Sequence, residues 1–470
     1  MGRPDSLSHA PLYALPHAAV PARTAMVGWL ASLLWVAELA RLAAPSWVPP
    51  SVPLALVAAT ALLALPDISR SLRAPLTICI ALLAGLVLRS WRMDALRAAL
   101  DFAAPFAAFL LSIAVLRACL LSPARLRATR ARLAAQDRVG RRSVLLLLSC
   151  LLGGVFSIGG LPLLAPLVAD MPAAEAAGLG GTVLCGNALA LLWSPFTVAM
   201  GFAAPAVGIV GGSAFLPRPL ALGAAGLVVA LLAHQAWRRP GAWRRAAATV
   251  APLMPPFILA MIATLGLATG FHLGPTQAVT VMAPAAALAA WLGRITGGRP
   301  TLLHPTLPHP ALPHPSGLRS AVVKLLRHAL PGAGEAVRDL PMYVAGFALA
   351  RALAGSGLFQ ALSGATMLPG LHSGMLLPPL AIVMALAGLP ALVSGGIVAA
   401  ASGVWMPQAA PGLRLALTLF AWLATTLLSV TGMSVLATAS TFGTPVRRLI
   451  FGRNLLVAVL MAALLVLAIR

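Results

Sequence analysis

Apolar runs separated by short polar or basic breaks dominate the first half of the chain, at Thr24 to Ala44, Val52 to Leu65, Pro75 to Leu88, Phe102 to Leu121 and from Ser143 onward. Further runs follow at Leu220 to Trp237, Val250 to Phe271, Ala278 to Trp291, Leu340 to Leu358, Leu376 to Val404, Leu415 to Val435 and Leu455 to Ile469. A helix needs about 20 apolar residues to cross a hydrocarbon core. The pattern therefore predicts an all-α, polytopic membrane protein with about ten to twelve transmembrane helices. One stretch departs from plain helices: between Arg351 and Arg447 the only ionised side chain is Arg414, yet Ser, Thr, Gly and Pro recur throughout. Irregular backbone at membrane depth is tolerated only where it faces a cavity or other protein. Such a texture predicts the broken helices that line a transport site.

Composition agrees, with 60% hydrophobic and 9% charged residues. The formal charge of +23 would suit nucleic acid or an anionic surface, but Lys and Arg cluster in loops between apolar runs. The densest are Arg117 to Arg142, Arg238 to Arg245 and Arg294 to Arg338. The positive-inside rule places all three in the cytoplasm, with the two runs between the last pair forming an out-and-back hairpin. No nucleic-acid partner is expected; binding of membrane lipid is a second use of such loops. Residues 143 to 217 contain no Lys or Arg, so their connections, with Asp170 and Glu175, are expected in the membrane or on its far side. The first 20 residues carry Pro4, Asp5, Pro11 and Pro16 and no apolar core, so a cleaved secretory signal is not expected. The expected location is a cell membrane, crossed many times, with a bacterial inner membrane the best fit. Cys79, Cys119, Cys150 and Cys185 are scattered through apolar segments, which suits small buried hydrophobes and neither a disulfide framework nor a metal site.

Residues 295 to 338 form the clearest linker, where Gly297, Gly298 and Pro300 lead into a Pro-rich tract. They divide the chain into an N-terminal segment with additional helices (1–73), a first membrane half (74–294) and a second (339–470). The linker repeats His304-Pro305-Thr306-Leu307-Pro308, His309-Pro310-Ala311-Leu312-Pro313 and His314-Pro315. A polyproline helix turns every three residues and does not align a spacing of five. A stiff spacer fits better than a metal-binding histidine row.

The halves resemble each other. The first holds Gly153-Gly154-Val155-Phe156-Ser157-Ile158-Gly159-Gly160, with Pro162 and Pro166 after it. The second holds Leu389-Pro390-Ala391-Leu392-Val393-Ser394-Gly395-Gly396, with Pro407 and Pro411 beyond. Each is followed by a second polar, broken stretch. In the first half this is Cys185-Gly186-Asn187 through Ser194-Pro195-Phe196; in the second it is Ser429-Val430-Thr431-Gly432-Met433-Ser434. Paired Gly/Pro-interrupted segments at corresponding places point to a binding site.

This order, with Asp339-Leu340-Pro341-Met342-Tyr343 opening the second half, resembles the ion transporter superfamily of arsenite permeases, NhaD-type antiporters, and citrate and dicarboxylate carriers. The likeness spans residues 74 to 469 and is one of order and texture. It implies two inverted repeats, each with a re-entrant hairpin and a broken helix. On that likeness Ser157, Gly159, Ser394 and Gly395 stand at the hairpin tips, and Asn187, Thr431, Gly432 and Ser434 in the unwound stretches. The Asn and Thr of the family's tip signatures are missing from these tips.

Half-helix N-termini offer free N–H groups and about half a positive charge each, so two tips at midplane can hold an anion without Lys or Arg. Ser157, Asn187, Ser194, Ser394, Thr431 and Ser434 would direct the hydrogen bonds; back-bonding of each hydroxyl to its own helix is the alternative. No Asp or Glu follows Asp339, whereas a proton antiporter needs an intramembrane acid. Asp170 and Glu175, which lack basic residues near them in sequence, are the candidates for ion coupling, with a solvated turn as the other reading. Glu38 and Arg41 read as a self-neutralised i, i+3 pair. Arg351 either snorkels to an interface or gates an anion site. His272, in a Gly-Pro-flanked run, is expected in a surface loop. The expected function is secondary active transport of a small anionic or polar organic solute, with no cofactor beyond a sodium ion, and with homodimerisation open. The chain carries no HExxH, GxSxG or Walker A motif, so enzymatic activity is not expected. A non-transporting membrane subunit and a lipid- or acyl-modifying enzyme are the alternatives.

Overall fold

The computed structural model describes residues 22–90, 94–120, 123–156, 160–168, 171–209, 217–234, 241–296, 334, 337–366 and 374–469. The His-Pro repeat, Ser157, Gly159 and Asp170 lie outside them. All regular elements among the described residues are helical. In chain order they begin with α1 (Ala22–Ala43), α2 (Ser51–Ala64), α3 (Arg70–Ser90), α4 (Asp94–Leu120), α5 (Pro123–Ala134), α6 (Arg138–Phe156) and α7 (Gly160–Val168). Next come α8 (Ala173–Trp193), α9 (Val198–Ala206), α10 (Pro217–Ala233), α11 (Ala242–Val250), α12 (Met254–Gly270) and α13 (Pro275–Thr296). The second half contributes α14 (Leu340–Gly355), α15 (Leu358–Thr366), α16 (Leu377–Leu386), α17 (Ala391–Trp405), α18 (Pro411–Leu428), α19 (Met433–Phe442), α20 (Val446–Ile450) and α21 (Arg453–Ile469). Among the described residues, six helical stretches are long and apolar enough to cross a membrane, including Ala173–Ala206 and Pro411–Phe442, and six shorter apolar helices accompany them. The protein is an all-helical, multi-pass membrane protein.

Helices α6 and α8 run parallel. Arg141 pairs with Glu175 at 2.8 Å near their starts. Further along, a Cβ on Gly153 would lie 2.7 Å from Asn187 Oδ1, and Trp193 Nε1 donates to Cys150 Sγ at 3.4 Å near the other end. Two consecutive long helices can start at the same end only if the segment between them returns there, and α7 is that return. A Cβ on Gly160 would sit 3.2 Å from the Leu152 carbonyl carbon, so α7 leaves the far end of α6 in close contact with it.

The second half also contains a pair of helices that double back. The expected single run from Leu376 to Val404 is two helices, because Gly388 adopts φ +83° and Pro390 caps α17 in extended backbone. A left-handed residue and a proline do not continue a helix. Gly374, before α16, abuts Met406, after α17, so the two helices return to where they began. Residues 387–390 form the tip. Ser394 and Gly395, expected at this tip, lie one turn inside α17.

Two helices are interrupted, and each interruption spans residues with the same backbone course. After α8, Ser194 is extended (φ −90°, ψ 124°) because Pro195 pushes its predecessor out of the helical region; Thr197 then caps α9 by accepting from Met200 N–H at 3.3 Å. After α18, Ser429 has φ −79°, ψ 123°, and Gly432 at φ −65°, ψ 123° caps α19. The unwound stretch of the first half is therefore 194–197. Gly186 and Asn187, expected there, sit inside α8, where Gly186 lets the Ser149 side chain and Leu146 carbonyl of α6 approach. Close backbone approach at small residues is how helices associate where lipid removes the hydrophobic drive.

The two interrupted helices cross antiparallel. Thr444 Oγ1, past the end of α19, donates to Ala177 O near the start of α8 at 2.8 Å, while Phe202 of α9 lies 5.4 Å from the Trp422 ring of α18. An aromatic core flanks this crossing. Phe102 stacks on Phe347 at 3.9 Å and Phe106 meets Tyr343 at 5.0 Å, which sets α4 antiparallel to α14. The expected out-and-back pair is present as α11–α12 against α13, turning at residues 271–274, where His272 has φ 53°.

Candidate functional site

A cavity of about 400 Å³ opens between the two interrupted helices. Asn187 of α8 and Thr431, Gly432 and Ser434 at the second interruption line it together. Sequence reasoning named all four. Its other walls include Pro390, Ala391 and Leu392 at the start of α17, Trp422 and Thr425 of α18, and Tyr343 of α14. Two helix N-termini thus face one space. In α17 the backbone bonds begin with Val393 N–H donating to Pro390 O, so the Ala391 and Leu392 N–H groups have no partner within the helix. In α19 they begin with Leu436 N–H to Gly432 O at 3.0 Å, leaving Met433 and Ser434 in the same state. Each N-terminus carries about half a positive charge.

Both hairpins are tied to the interruption in their own half by a hydroxyl. Thr431 Oγ1 donates to Gly388 O at the second tip at 2.8 Å and lies 3.1 Å from Ser429 Oγ. Ser194 Oγ donates to Gly154 O, near the end of α6, and accepts from Phe196 N–H at 3.2 Å. Ser194 is fully buried and holds backbone, and it is not part of the cavity wall. Ser394 is also fully buried, and among the described residues its hydroxyl has no hydrogen-bond partner. Gly395 packs under the Trp422 ring, which would sit 3.2 Å from a Cβ there.

The other sequence candidates lie elsewhere. Glu175, read as far from basic residues, is paired with Arg141; the parallel course of α6 and α8 brings them together and places Glu175 at the arginine-rich end. Arg351 is exposed, with its guanidinium 5.6 Å from the Phe347 ring centroid one turn earlier, and does not line the cavity. Glu38 does bond Arg41 at 2.9 Å.

Arg338 and Asp339 were missed. Read as the end of the linker and the chain's last acid, they line the cavity, with Arg338 Nε 3.8 Å from Asp339 Oδ1. The signal was their place directly before Leu340-Pro341, where α14 starts and the linker must end. No protein-family profile matches the chain, and no curated protein matches it significantly.

Proposed function

We propose that this protein is a secondary active transporter of a small organic anion, binding its solute between two inverted repeats. The observation that supports the reading is the pair of antiparallel interrupted helices, with breaks at 194–197 and 429–432, each bonded through a hydroxyl to backbone of its own half. Transporters built from inverted repeats place their sites at such interruptions, with half-helix N-termini facing anionic groups. The N–H groups of Ala391, Leu392, Met433 and Ser434 supply the acceptor-seeking surface, and the Asn187 amide and Thr431 hydroxyl give direction. Arg338 adds a guanidinium, whose planar fork suits a carboxylate. Asp339, with Oδ1 3.8 Å from Arg338 Nε, sets a carboxylate beside that guanidinium and opposes binding of an anionic solute there. The resemblance to the ion transporter superfamily belongs to this reading, and a coupling sodium ion would be held by backbone carbonyls and hydroxyls at the interruptions.

A panel of small mono- and dicarboxylates, screened for thermal stabilisation of the purified protein with and without sodium, tests it. At least one member is expected to stabilise the wild type saturably and not the Asn187→Leu variant. Equal stabilisation of both would move the site elsewhere.

A further inference from the structure

The walls of the larger cavity differ in chemistry. On one side α3 and α4 pack against α14. Helix α3 brings Leu72 and Pro75 to the lining, and α4 brings Leu110 and Ile113. Each pair is spaced i, i+3, so each helix turns one face to the cavity, and among the described residues neither face adds a polar side chain to the lining. Met342 and the Tyr343 ring of α14 continue that wall. Apart from Tyr343, every side-chain hydroxyl or amide in the lining belongs to the interrupted helices: Asn187 of α8, and Thr425, Thr426, Thr431 and Ser434 in and around the second interruption. Asn187 is 2% exposed, and no hydrogen bond among the described residues involves its amide. The lining holds one cation, Arg338, and one carboxylate, Asp339, so its side chains add no net charge.

One end of a solute is therefore met by an amide, hydroxyls and backbone N–H groups, while the rest of it lies against hydrocarbon. A second carboxylate on the same solute would face α3 and α4, where no donor meets it, and burying an unpaired charge is costly. Taking the larger cavity as the solute site, as proposed above, we infer that its solute is a monocarboxylate with an apolar body, of the kind of hexanoate or phenylacetate. Its carboxylate lies at Asn187 and the N-termini of α17 and α19, and its body lies along Leu72, Leu110, Ile113 and Met342. Those four side chains set the preference over di- and tricarboxylates. A volume of about 400 Å³ falls within the range of small-molecule sites, about 300–1,000 Å³, in which a mostly apolar lining supplies affinity and a few placed polar groups fix orientation. Each methylene buried against the wall contributes about fourfold in affinity, so affinity climbs with chain length until the body fills the cavity.

The test uses the full-length protein in lipid nanodiscs and follows thermal unfolding during titration with butyrate, hexanoate, phenylacetate, succinate and citrate at constant pH and ionic strength. Hexanamide, as apolar as hexanoate but uncharged, measures any effect of partitioning into lipid. Hexanoate and phenylacetate are expected to stabilise saturably, hexanoate about sixteenfold more tightly than butyrate for its two extra methylenes, and succinate and citrate more weakly than either. Leu72→Ala and Leu110→Ala, each made singly, should lower the hexanoate-to-butyrate ratio about threefold or more. A ratio of affinities is insensitive to a general loss of stability, and one variant suffices if the other fails to fold. Asn187→Leu should abolish stabilisation by every acid. Succinate or citrate binding more tightly than hexanoate, and lost in Asn187→Leu, overturns the apolar class and leaves the anion site standing. An unchanged ratio in both wall variants overturns the placement of the body. No saturable stabilisation by any acid, or stabilisation that survives Asn187→Leu throughout, overturns the class and the site together.

Discussion

Ser194→Ala removes one oxygen from the joint between the first hairpin and the first interruption. Two backbone groups lose their partner: Gly154 O, which accepts from the hydroxyl, and Phe196 N–H, which donates to it at 3.2 Å. Gly154 is in the last turn of α6, where carbonyls have no helical donor, and Ser194 is fully buried, so water does not replace the hydroxyl. An orphaned buried group costs about 1–3 kcal/mol in soluble proteins, while hydrogen-bond pairs in a membrane bundle average about 0.6 kcal/mol because the unfolded segments also find partners. Weighing the two, the expected loss is about 2 kcal/mol, a factor of roughly thirty in the folding equilibrium. Thr431→Val is the internal comparison, since it deletes the equivalent bond to Gly388 O at 2.8 Å on an exposed residue. Water can take over there, and the cost should be about 0.5 kcal/mol or less. Reversible unfolding in mixed micelles, followed by tryptophan fluorescence, measures both; Trp193 adjoins the joint. A Ser194→Ala loss no greater than that of Thr431→Val would refute the view that this hydroxyl closes the buried joint.

Gly153→Ala should cost about 1–3 kcal/mol, because its Cβ would lie 2.9 Å from the Asn187 Cα and 2.7 Å from Oδ1, whereas Gly266→Ala, with open space around it, should stay within about 0.5 kcal/mol; thermal unfolding of the pair decides. Gly388→Ala should cost about 1 kcal/mol for the left-handed backbone at φ +83°, read in the same assay. For any solute found in the carboxylate screen, Arg338→Gln should weaken binding by about tenfold or more and Asp339→Asn should strengthen it, as titration calorimetry would show. Matching shifts in the two variants would contradict the opposing effect of Asp339.

The helical, membrane-spanning character was legible from the apolar runs, and the interruptions were legible as polar residues in apolar surroundings. Their positions were not. Pro195 gives the stronger local reason to unwind, because it lacks an N–H and turns Ser194 out of the helical region, while the use of Gly186 is tertiary and hidden from sequence: it lets α6 approach. Ser394 misled for the opposite reason, since the turn is set by Gly388 and Pro390 and the serine merely follows it. Thr431 and Gly432 lie at the second break, and Ser434 just past it in the first turn of α19. Arg338 and Asp339 needed the fold, which brings the start of α14 against the second interruption. The Arg141–Glu175 pair needed it too, because nothing in sequence says that α6 and α8 run parallel.

Secondary active transport, as proposed, requires the larger cavity to open to the two membrane faces in turn. Ser434 tests it with the least disturbance, being 4% exposed, on the cavity wall and at the start of α19. A Ser434→Cys variant, with Cys79, Cys119, Cys150 and Cys185 replaced, would be reconstituted and treated with a membrane-impermeant thiol reagent from each face in turn. The account predicts labelling from both faces, slowed from at least one of them by a carboxylate that stabilises the protein. Labelling from a single face under every condition, with or without ligand, would contradict it.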